Sequence, residues 1–152
     1  MKNLQATEFM QHDPVAAHPE MSLTDLVALF SREHVRALPV VEEDGRLVGV
    51  VSETDLFLKN KGVPFSLEKV PTLLGQPVEK DHLAEFELAT QVTVGEVMTD
   101  QPETISSDTT LEAAAMLMLS HRHSVLPVVE GNRLVGMVRR IYLLRQFYGK
   151  DV

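Results

Sequence analysis

Two stretches of sequence decide the fold: RALPVVEEDGRLVGVVSETDL at residues 36–56 and SVLPVVEGNRLVGMVRRIYLL at residues 124–144. Each contains two apolar runs rich in β-branched residues, separated by a turn signal, and this pattern predicts a β-hairpin. The runs are 38–41 and 47–51 around Glu43-Asp44-Gly45, and 126–129 and 134–138 around Gly131-Asn132. Because the second stretch repeats the first, the chain contains an internal repeat.

The repeat extends upstream of the hairpins. A shift of 88 residues aligns the copies up to the turn, and after a one-residue deletion in the turn the shift becomes 87. The first-copy residues that are identical in the second are Glu8, Met10, Pro14, Leu23, Leu29, Leu38, Pro39, Val40, Val41, Glu42, Arg46, Leu47, Val48, Gly49, Val51 and Leu56. The chain therefore consists of two copies of one unit.

An amphipathic helix is predicted before each hairpin. In the first copy Ser22 and Asp25 resemble a capping box. The apolar stripe that follows at helical spacing is Leu23, Leu26, Val27 and Phe30. In the second copy the box is Thr109 with Glu112, and the stripe is Leu111, Ala114, Ala115 and Met118. Short extended pieces at 15–17 and 104–105 precede these helices, and helical stretches at 54–59 and 140–148 follow the hairpins. The predicted unit is therefore β-α-β-β-α, and the predicted fold class is α/β (α+β).

Composition limits the classes of partner. The 152 residues include 14 Lys and Arg against 22 Asp and Glu, a formal net charge of −8, which disfavours broad binding to nucleic acid or membrane surfaces but not a local basic pocket for one small anion. The absence of cysteine excludes disulfides and zinc thiolate sites. The N-terminus has no apolar run typical of a signal peptide, and the longest apolar stretch, 113–119, is too short to span a bilayer. We expect a cytoplasmic protein.

Catalytic motifs are absent from the sequence. It contains no P-loop, G-x-G-x-x-G, G-x-S-x-G or H-E-x-x-H pattern, so we expect no enzyme activity. His121-Arg122-His123 has the H-x-H spacing of some metal ligands, but the sequence identifies no third ligand. We therefore expect no metal site, and consider His123, near the end of its helix, as a contact to phosphate instead.

The two quoted stretches resemble a tandem pair of CBS motifs, named after cystathionine β-synthase. The resemblance rests on L-P-V-V, on G-x-hydrophobic-Val/Ile and on S-x-x-D, in that order, and it covers nearly the whole chain apart from the connector. It implies CBS motif 1 at 1–59, a connector at 60–90 and CBS motif 2 at 91–152, forming one module in which the motifs are related by a pseudo-twofold axis with two clefts between them. The connector either packs over the module, which we favour, or serves as a lid or a partner-docking element.

The resemblance also implies a function. Such pairs are regulatory modules that bind adenine nucleotides or other adenosyl ligands, and they commonly form homodimers. The ligands expected here are AMP, ADP or ATP, with S-adenosylmethionine or NAD as further members of the class. Since the sequence carries no effector domain, we expect it to act in trans on an unidentified effector protein. The alternative is a nucleotide-independent scaffold for dimerisation and partner docking.

The main candidate site is Ser52-Glu53-Thr54-Asp55, which follows a strand and opens a helix. Free N–H groups and the helix dipole there favour phosphate, and the hydroxyls of Ser52 or Thr54 add donors. The Asp55 carboxylate can accept hydrogen bonds from both hydroxyls of a ribose. The alternative is that Ser52 is only an N-cap and Asp55 only a first-turn acid. With the resemblance, we favour nucleotide binding.

Further site residues follow from matching the family pattern. Ala17, Leu38 and Pro39 correspond to residues that flank adenine in family members, although plain core packing is the alternative. Arg36 matches a position where the family often has a cation directed toward phosphate, and an exposed Arg without that role is the alternative.

The second copy departs from the pattern, because Arg139 replaces the Ser and Tyr142 replaces the Asp. Two interpretations compete. Either the second cleft is vestigial and Tyr142 fills it, or Arg139 and Arg140 supply positive charge to the phosphates of a ligand bound mainly through the first motif. We favour the second, because two arginines at a helix start oppose the helix dipole and need a compensating anion.

Overall fold

The structure is a computed structural model that describes residues 3–57 and 92–149, so the predicted connector at 60–90 lies outside the described residues. The helices of the described part are α1 Ala6–Phe9, α2 Leu23–Glu33, a 3-10 helix Glu53–Phe57, α3 Val94–Val97, α4 Leu111–His121 and α5 Arg140–Tyr148. The strands are β1 Gln11–His12, β2 Ala37–Val41, β3 Leu47–Ser52, β4 Thr99–Asp100, β5 Ile105–Ser106, β6 Val125–Glu130 and β7 Arg133–Arg139.

Both predicted hairpin positions are confirmed. β2 and β3 are neighbours in a three-stranded sheet of order β2-β3-β4, and β6 and β7 pair antiparallel in a four-stranded sheet of order β1-β7-β6-β5. Glycine permits each turn, because Gly45 has φ +87° and Gly131 has φ +66°. The predicted extended pieces are also present: Ala17 forms a parallel bridge with Val40, and β5 pairs parallel with β6.

The two long helices form where predicted, with two corrections. Ser22 caps α2 by accepting from the Asp25 N–H at 3.1 Å. The cap of α4, however, is Thr110, which accepts from Ala113 N–H, and the prediction of Thr109 was wrong by one residue. Thr109 instead accepts from Ser106 N–H at 3.0 Å.

The second correction concerns the buried face of α2. Its buried residues are Leu23, Leu26, Leu29 and Phe30. Val27, which the sequence stripe placed on this face, is 48% exposed. In α4 the buried residues are Leu111, Ala114 and Met118, and the predicted Ala115 is half-buried.

The described residues form two compact units that do not follow the order of the sequence. The first-motif unit comprises residues 16–40, 49–57 and 92–100, and the second-motif unit comprises 3–15, 41–48 and 101–149. β1, near the start of the first copy, pairs with β7 of the second, whereas β4, near the start of the second copy, pairs with β3 of the first. Each unit is therefore completed by the segment that leads into the other copy. The motif limits at 59 and 91 stay predictions.

Glycine allows these leading segments to lie close to the strands. A Cβ added at Gly49 would overlap the Sδ of Met98, and a Cβ added at Gly136 would overlap the Sδ of Met10. Since Met10 and Met98, and Gly49 and Gly136, are equivalent in the repeat, each unit contains the same methionine-on-glycine contact.

The second-motif unit has a continuous apolar core made by α1, α4, α5 and the strands β5 to β7. Its buried members are Ala6, Phe9, Ile105, Leu111, Ala114, Met118, Leu126, Val128, Val138 and Leu143. Within the described residues, no helix has both the length and the apolar composition needed to cross a membrane.

Candidate functional site

The predicted site residues divide between the two units. Those in the first-motif unit are Ala17, Arg36, Leu38, Pro39, Ser52, Thr54 and Asp55. Those in the second-motif unit are His123, Arg139 and Arg140.

Ser52, Thr54 and Asp55 are brought together where β3 ends. The Oδ2 atom of Asp55 accepts hydrogen bonds from the Ser52 backbone N–H at 2.8 Å and from the Ser52 hydroxyl at 3.2 Å. The hydroxyls of Ser52 and Thr54 are 2.8 Å apart. Asp55 is only 7% exposed, so this carboxylate is held in a nearly buried position by its neighbours.

The backbone at this corner differs from the prediction. The segment after β3 is a 3-10 helix, Glu53–Phe57, rather than the start of an α-helix, and residues 58 and 59 lie outside the described part. The Ser52 N–H donates to Asp55, and the Glu53 N–H donates to the Arg36 carbonyl at 3.0 Å. These two N–H groups are therefore already paired, and the Ser52 hydroxyl donates to Asp55, so a hydroxyl of this corner would have to exchange its present partner to donate to a phosphate.

The predicted adenine neighbours lie in the packed interior. Ala17 is 0% and Leu38 is 1% exposed, and Pro39 is also fully buried. The Ala17 N–H donates to the Pro39 carbonyl at 2.9 Å, so these residues touch each other through the backbone. An adenine ring would reach their side chains only if the surrounding packing opened.

Arg36 is exposed and lines a groove of about 450 Å³ between the C-terminal half of α2 and the 3-10 helix. The groove is lined by Val27, Phe30, Ser31, His34, Val35, Arg36, Glu53, Leu56 and Phe57. The Ser52-Thr54-Asp55 corner does not line it. The structure thus joins Arg36 to this corner through the backbone bond to Glu53, not through a shared cavity wall.

In the second-motif unit, the two arginines lie at the start of α5. Arg139 is half-buried at the end of β7, in the N-cap position, and Arg140 is exposed in the first turn. The Arg140 Nη2 donates to the His123 carbonyl at 3.1 Å, and its backbone N–H donates to the Ser124 carbonyl at 3.0 Å. The first turn of α5 has no acidic residue, so the cationic side chains add to the positive end of the helix dipole.

Tyr142, which replaces the family's Asp, is half-buried, and its hydroxyl lies 3.5 Å from the Gln11 Oε1. The guanidinium carbon of Arg145 lies 5.9 Å from the centre of the Tyr142 ring. The ring is thus positioned by β1 and by α5 itself. The vestigial and phosphate-binding interpretations of the second copy both stay predictions.

His123 belongs to a cluster that the sequence did not identify. Its Nε2 lies 2.7 Å from the Oε2 of Glu103, and the Nδ1 of His121 lies 2.6 Å from the same oxygen. The hydrogen bond from His121, assisted by a weaker effect of that from His123, holds the pKa of Glu103 below its usual value, while desolvation opposes this shift. The residue pattern missed Glu103 because 18 residues separate it from His121.

A signal for this cluster was nevertheless available in the repeat. The first-copy equivalents of Glu103, His121 and His123 are Val15, Glu33 and Val35 at the shift of 88. Glu33 is the one residue of these three with a side chain that ligates metals. In the second copy Glu103 therefore replaces one valine and His123 replaces the other, while His121 replaces Glu33.

Comparison with known proteins gives a consistent result. A family model described as "CBS domain" matches residues 6–60 and 94–149. The uncharacterized protein MJ1426 of Methanocaldococcus jannaschii is 30% identical over 139 residues, which cover 84% of this chain and 82% of that protein. Inosine-5'-monophosphate dehydrogenase of Mycobacterium tuberculosis is 31% identical over 132 residues, but the match spans 85% of this chain and only 20% of the dehydrogenase.

Among solved structures, the crystal structure of CBSX2 in complex with AMP matches with a TM-score of 0.72 at 27% identity. The match covers 95% of this chain and 96% of that chain. A second crystal structure of this CBS-pair protein, which comes from Arabidopsis thaliana, has a TM-score of 0.74 at 26% identity and covers 97% and 96% of the two chains. The predicted mixed fold of two CBS motifs is confirmed by these matches.

Proposed function

This chain belongs to the CBS-domain family, and from that premise we propose that it is a regulatory module that binds an adenine nucleotide at the corner formed by Ser52, Thr54 and Asp55. The family model matches both copies of the repeat. The relative CBSX2, whose crystal structure contains AMP, covers 95% of this chain, which supports AMP as the first ligand to test.

The Asp55 carboxylate is the observation that carries the proposal. Ser52 holds this carboxylate through two hydrogen bonds, both to its Oδ2 atom. Holding the carboxylate in place beforehand lowers the cost of ordering it when a ligand arrives. In the proposed complex Asp55 accepts hydrogen bonds from the ribose hydroxyls. The hydroxyl of Thr54, or that of Ser52 in exchange for its bond to Asp55, donates to the phosphate.

Phosphate charge is proposed to be met by arginines. Arg36 is exposed and its backbone is linked to Glu53, the residue that follows Ser52. Arg139 and Arg140 are concentrated at the start of α5 in the second-motif unit. In a chain with a net charge of −8, such local cations favour a small anion over an extended polyanion. Ala17, Leu38 and Pro39 stay the proposed neighbours of adenine, reached by local opening of the packing.

The proposed role is binding without catalysis. The matched dehydrogenases are enzymes, but this chain spans only 20% of their length, so the match carries no activity to this chain. We propose that nucleotide binding alters how the module engages an effector protein in trans, which requires that the ligand bind the two arrangements with different affinity.

A homodimer is the proposed assembly. α4 and α5 of the second-motif unit pack against each other and carry exposed large apolar side chains. These side chains are Met116, Leu119, Ile141, Leu144, Phe147 and Tyr148, with Leu119 and Tyr148 each 77% exposed. Exposed apolar surface of this kind is typical of an interface.

Calorimetric titration with AMP, ADP, ATP, S-adenosylmethionine and NAD tests the proposal. Asp55→Asn is the sharper variant, because its amide oxygen can still accept from Ser52 while the negative charge is lost. We expect wild type to bind at least one of these ligands, and Asp55→Asn to bind it about tenfold more weakly. If no adenosyl ligand binds wild type at millimolar concentration, the nucleotide-independent scaffold becomes the better account.

A further inference from the structure

We propose that Glu103, His121 and His123 form a binding site for a divalent transition-metal ion of the Zn²⁺ class. The three side chains lie in the second-motif unit, and the proposal goes beyond the nucleotide site. It does not depend on whether a nucleotide binds.

The ligand atoms converge on one point. The Nδ1 of His121 and the Nε2 of His123 lie 2.6 and 2.7 Å from the Glu103 Oε2, and all three atoms lie within 4.8 Å of one another. The imidazole rings are perpendicular, with an angle of 89° between their planes, so their donor atoms approach the carboxylate from different directions. Both nitrogens therefore meet the same carboxylate oxygen, and one ion can bind all three atoms once that oxygen moves back from the rings.

The change needed for coordination is small. Tetrahedral Zn²⁺ with bonds of about 2.0–2.2 Å holds its ligand atoms roughly 3.3–3.5 Å apart, so the carboxylate and the imidazole nitrogens must separate by less than about 1 Å. Each neutral ring presents a lone pair to the ion when its proton moves to the other ring nitrogen. No proton is lost from the rings in this step.

Rigid backbone positions the ligands. α4 ends at His121, and Arg122 follows in the left-handed conformation with φ +57°. The His123 N–H then donates to the Met118 carbonyl at 3.1 Å, so this turn is tied back to the helix. Glu103 precedes β5, which pairs parallel with β6, the strand that begins two residues after His123. Ligands fixed by a helix end and two paired strands lose little freedom on binding.

The cluster is also accessible. The side chains of His121, His123 and Glu103 are 53%, 37% and 30% exposed, so an ion can enter from solvent and water can complete its coordination. Two imidazoles and one carboxylate suit Zn²⁺ and its neighbours among the transition metals better than Mg²⁺ or Ca²⁺, which prefer all-oxygen sites.

The repeat shows that the fold does not require this triad. The first copy makes the same helix end, with His34 at φ +54° in the place of Arg122, and its Val35 N–H donates to the Phe30 carbonyl at 3.2 Å. Yet Val15, Glu33 and Val35 occupy the three ligand positions there. In this proposal the Nε2 of His123 binds the metal, and the phosphate contacts are left to the hydroxyls and arginines of the proposed nucleotide site.

Zinc titration of the chelator-treated 152-residue chain tests the site, using calorimetry with competition by a chromogenic chelator. The variants are His121→Ala, His123→Ala and Glu103→Gln, and the matched control is His34→Ala, which removes an exposed histidine from the equivalent helix end. We expect wild type and the control to bind one Zn²⁺ equally, each ligand variant to bind at least about tenfold more weakly, and Mg²⁺ not to compete. Circular dichroism checks that every variant is folded.

Two outcomes would overturn the proposal. One is that wild type shows no binding of one equivalent at micromolar Zn²⁺. The other is that all three ligand variants bind as tightly as wild type, which would place any bound zinc elsewhere. Histidine-ring NMR gives an independent readout, because Zn²⁺ should shift the signals of His121 and His123 while leaving those of His34 unchanged.

Discussion

At the scale of single residues, Asp55 connects local structure to the proposed binding. The spacing of S-x-x-D is enough to predict that Ser52, Thr54 and Asp55 lie near one another, because they occupy one turn of chain. The direction of capping could not be predicted, since either Ser52 or Asp55 can accept from the backbone. In the structure Asp55 is the acceptor, and Ser52 is the donor.

Replacing Asp55 therefore affects stability as well as binding. Asp55→Ala leaves the Ser52 N–H without its acceptor, and we expect the free energy of unfolding to fall by about 1–3 kcal/mol. Asp55→Asn keeps an acceptor and should lose clearly less. Urea denaturation measures both variants, and equal stability of Asp55→Ala and wild type would contradict the hydrogen bonding described here.

Glu103 provides a prediction about pH in the metal-free protein. Hydrogen bonds from His121 and His123 lower its pKa below 4.5, so the ionised carboxylate stabilises the fold above its unfolded pKa, and this contribution is lost as the pH falls through the lower folded pKa. Carbon NMR of the carboxyl should give a titration midpoint below 4.5 in wild type. The midpoint should rise in His121→Ala/His123→Ala, and an unchanged midpoint would argue against these hydrogen bonds.

At the scale of elements, the sequence predicts the long and periodic segments well. The hairpins, α2 and α4 were predicted from β-branched runs and apolar stripes. The cap of α4 was misplaced because Thr109 and Thr110 both offer hydroxyls, although the repeat shift of 88 from Ser22 leads to Thr110. The short elements α1, α3, β1 and β4 were not predicted, since segments of two to four residues carry no usable periodicity.

The methionine-on-glycine contacts give a prediction at this scale. In Gly49→Ala the new methyl meets Met98 and the Thr99 carbonyl, and in Gly136→Ala it meets Met10 and the Gln11 carbonyl. We expect each variant to be destabilised by about 1–3 kcal/mol through overpacking. Gly95→Ala is the comparison, because its methyl meets Pro19 at 3.2 Å at the closest, and alanine favours the helix there. The midpoint temperature of thermal unfolding should be clearly higher for Gly95→Ala than for Gly49→Ala or Gly136→Ala.

At the scale of the whole molecule, the sequence could not predict that the segment at the start of each copy pairs with a strand of the other copy. β1 pairs with β7 across more than a hundred residues of chain, and no local pattern specifies such a pairing. The repeat did indicate that Glu8 and Met10 are part of the unit, because they match Glu96 and Met98. Where those residues pack depends on tertiary contacts, which only the folded structure reveals.

The proposed homodimer is tested at the same scale. Leu119 is 77% exposed on α4, so Leu119→Lys should leave the fold intact and place a charge in an apolar interface. Light scattering coupled to size-exclusion chromatography is expected to give a dimer mass for wild type and a smaller mass for the variant. The matched control is Ser120→Lys, the neighbouring exposed position, which should stay dimeric. A monomeric wild type would contradict the assembly.

The central claim is that an adenine nucleotide binds at the end of β3, and an NMR titration of the ¹⁵N-labelled protein with AMP tests it most directly. The account predicts saturable amide shifts that are largest at Ser52, Glu53, Thr54 and Asp55, and that are greatly reduced in Asp55→Asn. It would be contradicted if millimolar AMP left these amides unchanged, or if the same shifts persisted at full size in the variant.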